Sequence, residues 1–401
     1  MTDFEKAYEK AIADKILPGY ALLAGNKDGK TLYSGAKGVQ SLAEGSTRPF
    51  QLDTICGIAS MTKLMTAVAA LKCVEEGLVT LDEDVAKYLP SIGKYGIITS
   101  FDEKTNEAVT VPNTTPITLR QALMLLSHTN GHEYDWLNLD LGKWRASRGE
   151  TPSCGPTVEE KHTLPLLYEP GTSFKYGPGS DWAGKVIEKV SRKRLDAVMK
   201  EKIWDPLGIT GISFFPEERS DMKDRVANIS TLNEQGEGPA TDAGGFDVFV
   251  DATDCLGGVG AFASADAYFT FLQSVLKRDP KILSENSWTE LFKPQLDERC
   301  KNELNDYLKS SPLHTQLLGM GLPEDIEKQW PFAGMIAELG QEGRMDAGTV
   351  FWGGVPSLTW YLDFEAGVCG VAFCQVIPPM SPRILKLHEL FQRAMYEKVA
   401  A

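Results

Sequence analysis

The chain has 401 residues and a formal net charge of −14, with 42% hydrophobic and 24% charged residues. That length has room for about two or three domains or one composite fold with ample core, and the composition is that of an ordinary soluble globular protein. The acidic balance argues against nucleic acid and anionic membrane surfaces as partners.

In chain order, residues 3–16 predict a helix with Phe4, Ala7, Tyr8, Ala11 and Ile12 on one side, stopped by Pro18-Gly19. A strand over 20–25 then turns through Asn26-Lys27-Asp28-Gly29-Lys30 into a second over 31–35. The short apolar run 54–59 leads into Ser60, after which Leu64, Met65, Val68, Ala69 and Val74 give a helical stripe closed by Gly77. Residues 117–126 predict a helix capped by Thr118. The polar stretch 130–160 shows no period despite Trp136 and Trp144, and predicts a long functional loop. Two helices follow over 181–207, ended by Pro206-Leu207-Gly208, and strands return at 349–352, 358–362 and 367–374. The last is apolar throughout, as a central strand requires. A terminal helix over 383–398 closes the chain.

This order predicts an α+β fold: an antiparallel sheet flanked by helices, built from 1–90 and 240–401, with a mainly helical insertion over 91–239. The seven cysteines (56, 73, 154, 255, 300, 369 and 374) contain no C-x-x-C pair. A disulfide framework and a cysteine zinc site are therefore not expected. The N-terminus reads as a charged helix and not as a signal peptide, and no run is long enough to span a bilayer. The expected setting is cytoplasmic.

Three segments hold residues suited to chemistry. Ser60-Met61-Thr62-Lys63 places a hydroxyl and an amine on one helical face, and a lysine held there in neutral form is a base for the serine. The same four residues also fit a capping serine beside a solvated lysine. Tyr176, between Pro170-Gly171 and a helix, is either a proton relay facing that pair, its phenol acidified by the lysine's charge, or a core tyrosine. In Trp352-Gly353-Gly354 the glycines let a strand backbone approach a ligand closely, or mark an edge bulge.

Taken together, Ser60-x-x-Lys63, Tyr176 and Trp352-Gly353-Gly354 resemble, in order and spacing, the serine β-lactamase/penicillin-binding-protein superfamily. The Trp-Gly-Gly box is similar to that of β-lactamase-like esterases. Tyr176-Gly177-x-x-x-Asp181-Trp182-Ala183-Gly184-Lys185, Pro206-Leu207-Gly208-Ile209-Thr210, Leu256-Gly257-Gly258-x-Gly260 and Leu276-Lys277-Arg278-Asp279 resemble the fungal acyltransferases that convert monacolin J to lovastatin. The likeness runs over nearly the whole chain.

The resemblance implies a β-lactamase-like fold with Ser60 as acylated nucleophile, Lys63 as its base and Tyr176 as proton shuttle. It implies an oxyanion hole from the backbone N–H groups of Ser60 and Val355, with Trp352, Gly353, Gly354, Gly257 and Gly258 beside the substrate. The donor would be an acyl thioester on coenzyme A or on a polyketide-synthase carrier domain, and the acceptor a small-molecule alcohol. No cofactor, metal, nucleic acid or membrane is implied. Gly177-Pro178 stands where β-lactamases carry Tyr-x-Asn, and Lys-Thr-Gly is missing, so β-lactam hydrolysis is not expected. Val355 and Ser357 replace the statin enzyme's glycine and asparagine, which suggests a different acceptor pocket.

Two other readings stand beside this one: a carboxylesterase using the same residues with water as acceptor, and a binding protein that keeps the fold without catalysis. A Ser-His-Asp hydrolase is disfavoured because no G-x-S-x-G occurs. His128 and His132 have metal-like spacing, but Asn130-Gly131 breaks the helix that would align them, so they read as helix-terminus histidines. Gly257-Gly258-Val259-Gly260 lacks the Lys-Ser/Thr of a phosphate loop and reads as a tight backbone approach. Trp330, Trp352 and Trp360 suit either a substrate groove or the core.

Overall fold

The computed structural model of the protein describes residues 2–123, 131–245 and 251–400. Its centre is a seven-stranded antiparallel sheet in the spatial order Lys328–Gln329, Met335–Ala337, Val350–Gly354, Leu358–Asp363, Val368–Phe373, Gly19–Asn26 and Thr31–Gly38. The two ends of the chain meet there, with Leu22 opposite Ala372 and Leu23 opposite Val371. Val368–Phe373 is buried at every position because helices cover both faces. Ala265–Leu276 packs against one face and Pro382–Ala400 against the other. On the second face Phe4, Tyr8, Leu22, Ile384 and Phe391 form a compact apolar layer. Each such side chain removed from water contributes about 1.5–3 kcal/mol.

The helix behind Ser60, Thr62–Glu75, is buried on nearly every side, not along a single stripe. Ala67, Ala69 and Ala70 leave room for Gly179–Ser191 and Glu285–Phe292 to pack closely around it. Val74, expected in the stripe, is only partly buried. This centrality fixes the residues at its N-terminus.

The stretch 131–160 is more ordered than a loop. Asn138 accepts N–H bonds from Asp140 and Leu141 (3.0 and 3.1 Å) and starts a helix at Leu139–Ser147. A Thr157–Glu160 capping box starts another at Val158–His162. A buried Arg145–Asp135 ion pair of 2.9 Å locks the segment in place. These polar contacts replace the apolar period that marks most helices in a sequence. Residues 91–239 also hold the hairpin Ile97–Phe101/Ala108–Val111 and two short strands that pair outside the stretch. Ile212–Ser213 pairs with Phe262–Ser264, and Ile229–Thr231 runs parallel to Val376–Ile377. Of the expected helix over 117–126, Leu119–Leu123 is observed and the remainder lies outside the described residues. Among the described residues, no helix is long and apolar enough to cross a membrane.

Candidate active site

Ser60 sits in a single 3-10 turn, Ala59–Met61, between the strand Ile55–Gly57 and the buried helix. Ala59 has a left-handed φ of +41°, which costs a non-glycine residue about 1–3 kcal/mol. The surroundings hold it there. Ile58 N–H donates to Ala261 O (3.0 Å), Ala261 N–H donates to Thr62 Oγ1 (3.1 Å), and Tyr268 OH donates to Met61 O (2.9 Å).

From the other side Gly354 presses on the turn: a Cβ added there would lie 2.1 Å from Ile58 O. Gly354→Ala is therefore expected to lower stability by about 1–3 kcal/mol, read by denaturant unfolding, and to reduce acylation of Ser60 as the turn is displaced. Gly353 is equally hemmed in: a Cβ there would lie 2.6 Å from Met380 Cε and 2.8 Å from Met320 Cε. The residues that follow are clasped. Ser357 Oγ donates to Val376 O and accepts from Met380 N–H, both at 2.9 Å, and Ser357 O lies 2.9 Å from His388 Nε2. Ser357 is thus a buried anchor of the turn carrying Val355 and does not line the cleft.

Ser60, Lys63 and Tyr176 converge. Ser60 Oγ is 2.5 Å from Tyr176 OH and accepts a hydrogen bond from Lys63 Nζ at 3.1 Å. Lys63 is completely enclosed, and its Nζ also donates to Gly258 O at 2.8 Å and lies 3.4 Å from Tyr134 OH. Burial pushes its pKa down to about 7, opposed by the charge of Asp181. Tyr176 is shifted the other way. Burial raises its phenol, and the hydrogen bond with Ser60 offsets this only in part. The expected acidification by a charged lysine is overturned, because desolvation of the phenol dominates.

Gly257 and Gly258 lie behind Lys63 and are not among the residues lining the cleft. Gly258 O holds the amine, Gly258 N–H donates to Asp181 Oδ1 (2.7 Å), and Thr66 Oγ1 donates to Gly257 O (2.6 Å). A Cβ on Gly257 would strike Ser180 O at 2.6 Å, so the tight approach is real but serves the lysine. Tyr134, Asp181 and His162 are site residues that the sequence does not single out. Tyr134 packs on the Tyr176 ring at 5.4 Å, and His162 Nε2 lies 3.4 Å from the buried Asp181 Oδ2. Their only sequence signals are the aperiodic 130–160 stretch and the string from Tyr176 to Lys185.

Above the three side chains opens a cleft lined by Ala59, Ser60, Tyr134, Trp136, Tyr176, Val259, Leu317, Leu318, Met320, Trp352, Gly353, Gly354, Val355 and Met380. Trp352 is the one expected tryptophan among them. Trp330 is buried edge-on behind it at 4.9 Å, and Trp360 lies in the core. His132 is buried beside His162 with its pKa pushed down to about 3, first by burial, and the chain that leads into it, 124–130, lies outside the described residues. His128 lies outside the described residues.

A family model described as Beta-lactamase matches residues 4–393. The chain belongs to the β-lactamase family. Within it, the chain is 31% identical to lovastatin esterase of Penicillium rubens, over 99% of this chain and 98% of that one. It is 32% identical to monacolin J acid methylbutanoyltransferase of Aspergillus terreus, covering 98% and 94%. Among solved structures of the family, unliganded simvastatin synthase from Aspergillus terreus superposes with a TM-score of 0.86 at 30% identity, over 99% of each chain.

Proposed function

We propose that the protein is an acyltransferase that moves a short acyl group from a thioester through an acyl-Ser60 intermediate to the hydroxyl of a polyketide-like alcohol. The observation that carries this reading is the convergence of a buried amine of lowered pKa (3.1 Å) and a phenol (2.5 Å) on one serine hydroxyl. Lys63 takes the Ser60 proton as Oγ attacks the thioester carbonyl, and Tyr176 passes a proton to the departing thiolate. The backbone N–H groups of Ser60 and Val355, both at the cleft wall, would stabilise the oxyanion. In the second half the acceptor hydroxyl gives its proton to the Tyr176–Lys63 pair, attacks the acyl carbonyl, and Oγ recovers the proton. The apolar walls from Trp136, Leu317, Leu318 and Met380 favour a bound alcohol over water.

On this reading the insertion 91–239 supplies Tyr134, Trp136 and Tyr176 to one side of the cleft, and the domain formed by 1–90 and 240–401 supplies Ser60, Lys63 and Val355 to the other. A carrier-domain donor and a cytoplasmic setting belong to the same proposal. The latter is supported by cysteines that are free thiols, six of them buried.

Hydrolysis by the same residues is the second reading, favoured by the relative named lovastatin esterase. Incubation with a butanoyl thioester, with and without a polyketide alcohol, separates the two. We expect a new ester in the tube with alcohol, and free acid alone in both tubes would leave only the esterase. Lys63 must be neutral to act as base, so the acylation rate is expected to climb with pH through about 7 and level off above it, read by stopped-time acylation at saturating donor.

A further inference from the structure

A second, small cavity, close in size to the Ser60 cleft, lies between the sheet and the C-terminal helix Pro382–Ala400. Met320 lines both spaces. Its Cε, with that of Met380, packs against Gly353, so two flexible thioether side chains separate them at that point. Most of the inner wall is apolar, from Phe351, Trp360, Leu385 and Phe391.

Arg344 breaks that pattern. It lines the cavity at 8% exposure, yet among the described residues it forms no ion pair. Its Nε donates to Gln392 Oε1 (3.0 Å) and its Nη1 to Gln341 Oε1 (3.2 Å), both neutral acceptors. Glu389, on the same helix as Gln392, lies near enough for its charge to favour the guanidinium, but it makes its ion pairs with Lys386 and Arg393 at 3.0 and 2.8 Å. Burial pushes the guanidinium down to about 10. A guanidinium offers five N–H donors in a planar fork matched to carboxylate, and a buried charge is ordinarily paired.

We infer that the inner cavity is a continuation of the Ser60 cleft, reached past Met320, in which Arg344 receives a carboxylate carried by one of the two substrates. This rests on the acyl-Ser60 reading. Two sources fit: an acyl group ending in a carboxylate, or an acceptor that is a hydroxy acid.

The test compares matched pairs on the full chain: hexanoyl against 5-carboxypentanoyl thioester as donor, and a polyketide hydroxy acid against its methyl ester as acceptor. Wild type is expected to use the carboxylate member of at least one pair within about tenfold of its neutral twin, since an apolar wall without a cation would reject it far more strongly. Arg344→Gln is expected to slow that member at least about tenfold and leave the twin within about twofold. The pair that responds identifies the source. Rejection of both carboxylate members by wild type, or an equal effect of the substitution on both twins, overturns the inference, and the wild-type comparison stands even where the variant folds poorly. Butanoyl labelling of Ser60 in the same run keeps the outcomes apart: labelling with flat pairs refutes the inner site alone, and no labelling refutes the acyl-enzyme.

Discussion

Ser60→Ala is expected to reduce thioester turnover by about 10⁴-fold or more. Its Oγ is the atom on which Lys63 and Tyr176 converge, and among the described residues no other hydroxyl in the cleft has both partners. Tyr134 OH comes closest, but it is 3.4 Å from the amine and burial raises its pKa well above the usual phenol value. The fold should tolerate the change. Ser60 is only half-buried, and the strained turn is held by bonds to Ile58, Met61 and Thr62 that do not involve its side chain. The unfolding midpoint of Ser60→Ala should therefore stay close to wild type while turnover is lost. Retained turnover would remove the serine from the mechanism.

Lys63→Met is expected to lower the acylation rate by about 10²–10⁴-fold, the contribution of a positioned general base. Its effect on stability depends on pH, and the sign follows from the shift. The unfolded amine titrates at its ordinary 10.5 and the folded one at about 7. Between those values the unfolded chain binds a proton that the folded chain does not, so wild-type stability rises with pH across that window. Below about pH 7 the burial penalty is present in full, and above 10.5 it is gone. Methionine carries no such term. The gap in unfolding midpoint between variant and wild type should thus move in the wild type's favour from about pH 6.5 to about pH 9.5. A gap that stays constant would show that the amine is not desolvated. Tyr176→Phe is expected to slow both acylation and transfer without this pH-dependent stability signature, since its phenol stays neutral across the same window.

Much of this site is legible in the sequence, for physical reasons that differ by residue. Ser60 and Lys63 share a local helical period, which sequence records directly. The glycines of 353–354 are legible as a close approach, although what approaches Gly354 is Ile58 O and not a ligand. Strands 19–26, 350–354 and 368–373 are visible in their apolar runs, because burial on both faces leaves no polar alternation. Tyr134 and Asp181 are not visible as site residues. They reach Lys63 across 71 and 118 positions of chain through tertiary packing that no window samples. The helices in 131–160 are hidden because capping side chains and the Asp135–Arg145 pair, not an apolar stripe, define them. The direction of the Tyr176 shift is hidden for a related reason: burial cannot be read from a motif, and here it outweighs the neighbouring amine.

The central claim is that the hydroxyl at 60 becomes an ester. A short pulse of butanoyl thioester, quenched in acid and followed by intact mass and peptide mapping, tests it most directly. We expect a single butanoyl increment on the peptide holding Ser60, discharged by an added alcohol and absent in Ser60→Ala. An unmodified Ser60 peptide alongside turnover, or the same increment persisting in Ser60→Ala, would refute the acyl-enzyme.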